Sequence, residues 1–145
     1  MLAGAVLAAA LSPCIAGAAL GESEASVQAD TAQLRAAVKV TAHANYRLHE
    51  ATLPSGTKLR EFVGPDGKVF AVAWNGPTVP NLRQCFGRYF EPFVTAARAQ
   101  RSGHSHLRVR TGDLVVESGG HMRAFAGRAY LTDAVPSGVD LGDLH

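Results

Sequence analysis

Lys68-Val69-Phe70-Ala71-Val72-Ala73-Trp74, closed by Asn75-Gly76-Pro77, is the stretch that decides the fold. Strand alternation puts Val69, Ala71 and Ala73 on one face and Phe70, Val72 and Trp74 on the other, so both faces are apolar. A strand that must be covered on both sides belongs in the middle of a sheet. Asn75-Gly76-Pro77 is turn chemistry and ends it.

Toward the N-terminus, Thr57 to Val63 and Tyr46 to Leu53 are two more short runs rich in β-branched and aromatic residues. Pro54-Ser55-Gly56 and Gly64-Pro65-Asp66-Gly67 divide the three runs, since Pro presets φ for a turn and Gly accepts positive φ. A three-stranded antiparallel meander is predicted. Further upstream, between Glu22 and about Val38, the positions of Val27, Leu34 and Val38 share one helical face and predict an N-terminal amphipathic helix.

Toward the C-terminus, Leu82, Cys85, Phe86, Tyr89, Phe90, Phe93, Val94 and Ala97 recur at three- and four-residue steps, with Arg83, Gln84, Arg88, Glu91 and Arg98 on the opposite side. This predicts a helix from Leu82 to Ala97 that follows Pro80. Pro92 removes a hydrogen bond to the carbonyl four residues earlier, which predicts a kink or break near Arg88 to Glu91. Strands follow at Leu107 to Thr111, Leu114 to Ser118 and Met122 to Leu131, with Gly112-Asp113 and Gly119-Gly120 as the turns. From Val135 the tail has little apolar mass and is expected to lie along the surface. The fold class is therefore α+β: an antiparallel sheet of five to six strands, built as a three-stranded meander, an amphipathic helix and two to three further strands, with an additional N-terminal helix.

With 47% hydrophobic and 18% charged residues in a chain of 145, the composition is that of one globular domain and excludes a disordered chain. No Asp, Glu, Lys, Arg or His precedes Glu22, and Leu2 to Leu11 is an apolar run of signal-peptide length. Ser12 and Pro13 end that run, and the small residues Ala16-Gly17-Ala18 suit cleavage after Ala18, giving a signal peptide 1–18 and a single domain 19–145. The basic segment that precedes such a run is missing, the first cation being Arg35, so a start further upstream is implied. The alternative is an uncleaved anchor from Met1 to Leu20, about the minimum for a tilted span. Leu11-Ser12-Pro13-Cys14 has the outline of a lipoprotein site, but Pro13 stands where a small unconstrained residue is needed. Export to the periplasm or medium removes Cys14 with the leader and leaves Cys85 without an internal disulfide partner.

Net charge of +2 is too small to imply nucleic acid or a membrane surface, so membrane contact is expected only through an uncleaved leader. Its distribution is more informative: Arg98, Arg101, Arg108 and Arg110, with His104 and His106 among them, form a stretch without an acid that can take an anionic surface through guanidinium forks. The competing reading is a helix end and the wet face of a strand. His104 and His106 are also weak metal-ligand candidates, with His43, His49 or His121 as a third ligand, but no metal-site pattern accompanies them. Ser118-Gly119-Gly120-His121 places a hydroxyl near an imidazole without the Gly-x-Ser-x-Gly elbow a hydrolase needs. Cys85 is the other candidate nucleophile, though its periodicity puts it on the buried side of a helix, where a thiol is inert. Glu50 and Glu61 are explained by cross-strand pairing with Arg47 or Arg60. No cofactor is implied by any motif.

Phe70 to Pro77 leading into Leu82 to Phe90, together with Val116-Glu117-Ser118-Gly119-Gly120-His121-Met122-Arg123-Ala124-Phe125-Ala126-Gly127-Arg128-Ala129-Tyr130, resembles domain of unknown function 2844, a family of proteobacterial exported proteins. Ala19-Leu20-Gly21 after the leader and Leu53-Pro54-Ser55-Gly56-Thr57 fit the same pattern, so the resemblance runs over nearly the whole chain. It implies export and a single domain, and brings no activity, cofactor or catalytic residue with it. Cys85 stands at a position the family pattern keeps apolar, in keeping with a buried side chain.

The function expected from these features is an exported, non-catalytic binding or assembly module with an envelope component, anionic or otherwise, as partner. Trp74, Asn75, His121 and Arg123, polar and aromatic residues next to glycine turns, are the candidate ligand-binding group. The alternatives are a hydrolase or transferase using the Ser118 to His121 hairpin, and an anionic-surface binder acting through Arg98 to Arg110.

Overall fold

A computed structural model of the chain describes residues 19–27, 37–100 and 106–145. Among them are seven strands: β1 (Val38–Ala42), β2 (Arg47–Thr52), β3 (Lys58–Val63), β4 (Val69–Gly76), β5 (His106–Thr111), β6 (Leu114–His121) and β7 (Ala124–Leu131). They form one antiparallel sheet in the order β1-β2-β3-β4-β7-β6-β5. Two meanders, β1 to β4 and β5 to β7, meet where β4 pairs with β7. The most apolar strand, β4, is thereby the middle one, and its side chains from Val69 to Trp74 are all buried.

The sheet has one more strand than expected at its N-terminal edge. Val38, which fits a helical spacing with Val27 and Leu34, instead opens β1, where Val38, Val40 and Thr41 pair with Ala51, His49 and Leu48. Residues 24–27 are helical, and the rest of the expected N-terminal helix lies outside the described residues. The β-branched density of Val38-Lys39-Val40-Thr41 was the signal for a strand.

Within β4 the simple alternation slips. Val63 pairs with Val69 and Phe62 with Ala71, so Phe70 has no residue of its own opposite and forms a bulge. One extra residue turns the sequence of faces by one step. Val69 therefore joins Val72 and Trp74 on one face, while Phe70 joins Ala71 and Ala73 on the other.

The first of these faces carries the helical layer. α1 (Leu82–Phe86), a 3-10 turn (Gly87–Tyr89) and α2 (Phe90–Ala99) replace the single helix expected. The break falls at Gly87, whose φ of 51° favours glycine and where a Cβ would meet the Cβ of Ala19 at 2.6 Å. Pro92 sits in the first turn of α2, where its missing N–H is tolerated. Phe86 lies 6.3 Å from Trp74 and 5.2 Å from Phe93, ring centre to ring centre, and these rings fill the core with Val72, Val109 and Leu114. The N-terminal segment closes this layer: Leu20 is fully buried, its N–H donates to Cys85 O, and Gly21 N–H donates to Val69 O.

The second face is partly covered by the tail. Leu144 is completely buried with Phe62, Phe70, Ala71 and Tyr130, so the tail is a packed element and does not simply lie along the surface. Asp140 caps a 3-10 turn (Leu141–Asp143) by accepting from Gly142 N–H at 2.7 Å. Among the described residues no helix is long and apolar enough to cross a membrane.

Candidate functional site

Because neighbouring strands are in register, residues of the tail-covered face line up in rows across the sheet. The row Leu48, Phe62, Ala71, Tyr130, Val115 is apolar and lies under the tail. One step along the strands, the row reads Lys39, Glu50, Arg60, Ala73, Arg128, Glu117, Arg108. Charge alternates along it except at Ala73 on the central strand. One step further come Lys58, Asn75, Ala126, Gly119 and His106.

The last two rows, with Leu144 and His145 of the tail, enclose an open cleft of about 780 Å³. Among the described residues, Lys58, Arg60, Arg108 and Arg128 line it together with His106 and His145, against one acidic side chain, Glu117. Glu117 is bridged by two arginines: Arg128 donates from Nε at 2.8 Å, and Arg108 Nε lies 3.2 Å away. Arg60 donates to its cross-strand neighbour Glu50 at 3.0 Å. Arg128 also donates to Leu141 O and so ties the tail to the rim of the cleft. Lys58 and His106, at the two ends of the outer row, are exposed and have no ion pair among the described residues.

Between the two rows runs a third, Trp74, Gly127, Ser118 and Leu107, whose side chains point to the helical face and whose main chain forms the cleft floor. Trp74 lies flat against Gly127: a Cβ there would come within 2.3 Å of Trp74 Cζ2. Among the described residues, buried Trp74 Nε1 has no hydrogen-bond partner.

The candidates from the sequence are distributed as follows. Trp74 and Asn75 line the cleft, while His121 and Arg123 stand at the exposed tip of the β6–β7 hairpin, outside its lining. That hairpin turns at Met122-Arg123, with Arg123 at φ 68°, and not at Gly119-Gly120. Both glycines are inside β6, paired with Ala126 and Phe125 of β7, and a Cβ on Gly120 would strike Ala124 O at 2.2 Å. Ser118 and His121 are consequently three residues apart on one extended strand, about 10 Å, with side chains on opposite faces. Cys85 is buried in the core under the helical face.

The basic stretch is divided by the sheet itself. Arg98 is exposed on α2, which packs against the helical face through Phe93 and Val109. Arg108 and Arg110 alternate with Leu107 and Val109 and point away from α2, and of the three arginines within the described residues Arg108 alone lines the cleft. Arg101 and His104 lie outside the described residues. His106 is on β5, His43 stacks on Tyr46 beside β1, and His49 is buried on β2, so these imidazoles are scattered over the sheet. Among the described residues no group of three or more His, Cys, Asp or Glu is placed to hold a metal ion.

A second polar cluster fastens the N-terminal segment. Glu24 accepts from Arg47 Nε at 2.9 Å and meets buried His49 Nε2 at 2.9 Å. The Arg47 bond holds the Glu24 carboxyl below its ordinary range, against the opposing effect of burial. Glu61, also buried, faces His49 across β2 and β3, whereas Glu50 pairs with Arg60 as its cross-strand position implies.

A family model described as protein of unknown function (DUF2844) matches residues 16–144, nearly the whole chain. The chain belongs to the DUF2844 family. No curated protein and no solved structure matches it. The DUF2844 match takes in every strand of the sheet and the tail through Leu144, hence both walls of the cleft. Lys58, Arg60 and Arg128 are the cleft residues that the sequence reading passed over. Their signal was present as the polar alternate positions of β3 and β7; the β5–β6–β7 meander brings Arg128 to Arg108, and only the β4–β7 pairing adds Lys58 and Arg60.

Proposed function

We propose that this protein is an exported, non-catalytic binding module whose partner, an anionic component of the cell envelope, docks in the cleft on the tail-side face of the sheet. The observation that carries the reading is the cleft lining, in which cations from three strands gather around a floor of small residues. Guanidinium groups suit carboxylate or phosphate oxygens, and Arg60, Arg108 and Arg128 are already oriented by acids of the same row. The non-catalytic reading is supported by the separation of Ser118 from His121 and by the burial of Cys85. Export rests on the apolar run Leu2 to Leu11 and the small residues before Ala19. Cleavage after Ala18 keeps Leu20, which the core requires.

Titrating the purified protein with anionic envelope polymer tests the docking. Affinity is expected to fall with added salt, and the Lys58→Ala, Arg108→Ala double variant to lose roughly tenfold, the effect of two exposed charges. Binding that ignores both changes rejects the reading. Mass spectrometry of the protein recovered from a periplasmic fraction should find Ala19 at the N-terminus; an intact leader in the membrane fraction would support the anchor instead.

A further inference from the structure

We infer that the ligand of this cleft is an acidic oligosaccharide lying across the strands, an inference that rests on the anion-binding reading above and specifies its chemistry. The cations do not converge on one point. From Lys58 on β3 through Arg128 on β7 to His106 and Arg108 on β5 the cleft spans four strand steps, about 19 Å at the usual spacing. One phosphate or one carboxylate touches one end of such a site. A chain with negative groups repeated along its length reaches both ends.

The arginines are held in two groups, one on either side of the central strand. Glu50 anchors Arg60, and Glu117 anchors Arg128 and Arg108, so none of them can swing in to close around a single anion without abandoning its acid. Lys58 and His106 are left at the two ends to engage successive charges.

The middle of the cleft selects among polyanions. It presents the exposed amide of Asn75 and the carboxylate of Glu117, groups that accept from O–H donors. Sugar hydroxyls supply such donors. A polyphosphate consists of acceptors and brings no row of O–H donors to Glu117 and Asn75. The floor of Ala126 and Gly119 is low enough for a sugar ring to approach the main chain. A single-stranded nucleic acid stacks its bases on broad aromatic rings; among the described residues no Phe or Tyr lines the cleft, Trp74 turns its ring to the helical face, and the rings left to it are the imidazoles of His106 and His145.

Calorimetric titration of the purified protein with galacturonate oligomers of increasing length decides the matter, with the galacturonate monomer, neutral xylose oligomers, polyphosphate and single-stranded DNA as comparisons. Affinity for galacturonate should rise with length until the cleft is filled and then level off. Lys58→Ala and His106→Ala should each weaken the long oligomers about fivefold, with an unchanged circular dichroism spectrum. The proposal is overturned if the monomer binds as tightly as the oligomers, if neutral oligomers bind equally, or if polyphosphate or DNA binds in preference. Polyphosphate binding that depends on Lys58 would remove the saccharide and keep the anion cleft. Failure of every anion to bind would remove both.

Discussion

Gly127 faces two ways. On one side its main chain is part of the cleft floor, and on the other it gives the Trp74 indole room to lie against the sheet. Any side chain at this position must push the indole toward Phe86, so Gly127→Val is expected to destabilise the protein by about 1–3 kcal/mol, as overpacking does. Trp74 is the sole tryptophan, and its fluorescence in a denaturant titration reports the change directly. Leu144 is the opposite case, a fully buried side chain in a segment with little other apolar mass. Leu144→Ala should cost about 2–5 kcal/mol, the usual range for a core leucine; a midpoint unchanged from that of the parent protein would show that the tail is not part of the fold. Neither role was legible locally. Gly127 is one of 15 glycines, and what distinguishes it is the residue across the β4–β7 ladder.

Among the elements, the N-terminal segment is held by main-chain bonds along β4 and by the Glu24, Arg47 and His49 cluster on β2. The folded state depresses the Glu24 carboxyl, chiefly through the Arg47 hydrogen bond. The folded state therefore binds the proton less readily than the unfolded chain, and stability from this group is present above the ordinary value of 4.5. It is lost as pH falls from there through the lower folded-state value. Thermal midpoints measured down that range should drop, and Glu24→Gln should flatten that part of the profile while lowering stability at neutral pH. A parallel profile in the variant would refute the assignment. The elements themselves were largely readable: six of the strands and the helical region follow from turn residues and periodicity. The departures have local physical causes. Gly87 breaks the helix because the N-terminal segment approaches it, the Phe70 bulge changes the faces of β4, and Gly119 and Gly120 stay in β6 because both pair with β7, which at Gly120 leaves no room for a Cβ.

For the whole molecule, joining two meanders through β4 and β7 makes one sheet with a core on each side. Trp74 fluorescence and far-ultraviolet circular dichroism should then report a single coincident unfolding transition; an earlier, separate loss of the β5 to β7 strands would contradict a shared core. The same joint assembles the cleft, since it sets Arg60 and Lys58 of the first meander beside Arg128, Glu117 and Arg108 of the second. By itself the sequence determined the α+β class, the central place of Val69 to Trp74, the apolar face of the helical region and the family, because these depend on period, turn chemistry and local pattern. Tertiary structure alone decided which charges of the two meanders become neighbours. Arg98 and Arg108, close in sequence, fall on opposite sides of the sheet, and the charged row is gathered from strands distant along the chain, because strand pairing and register are set by burial on both faces together and are not encoded in any one segment.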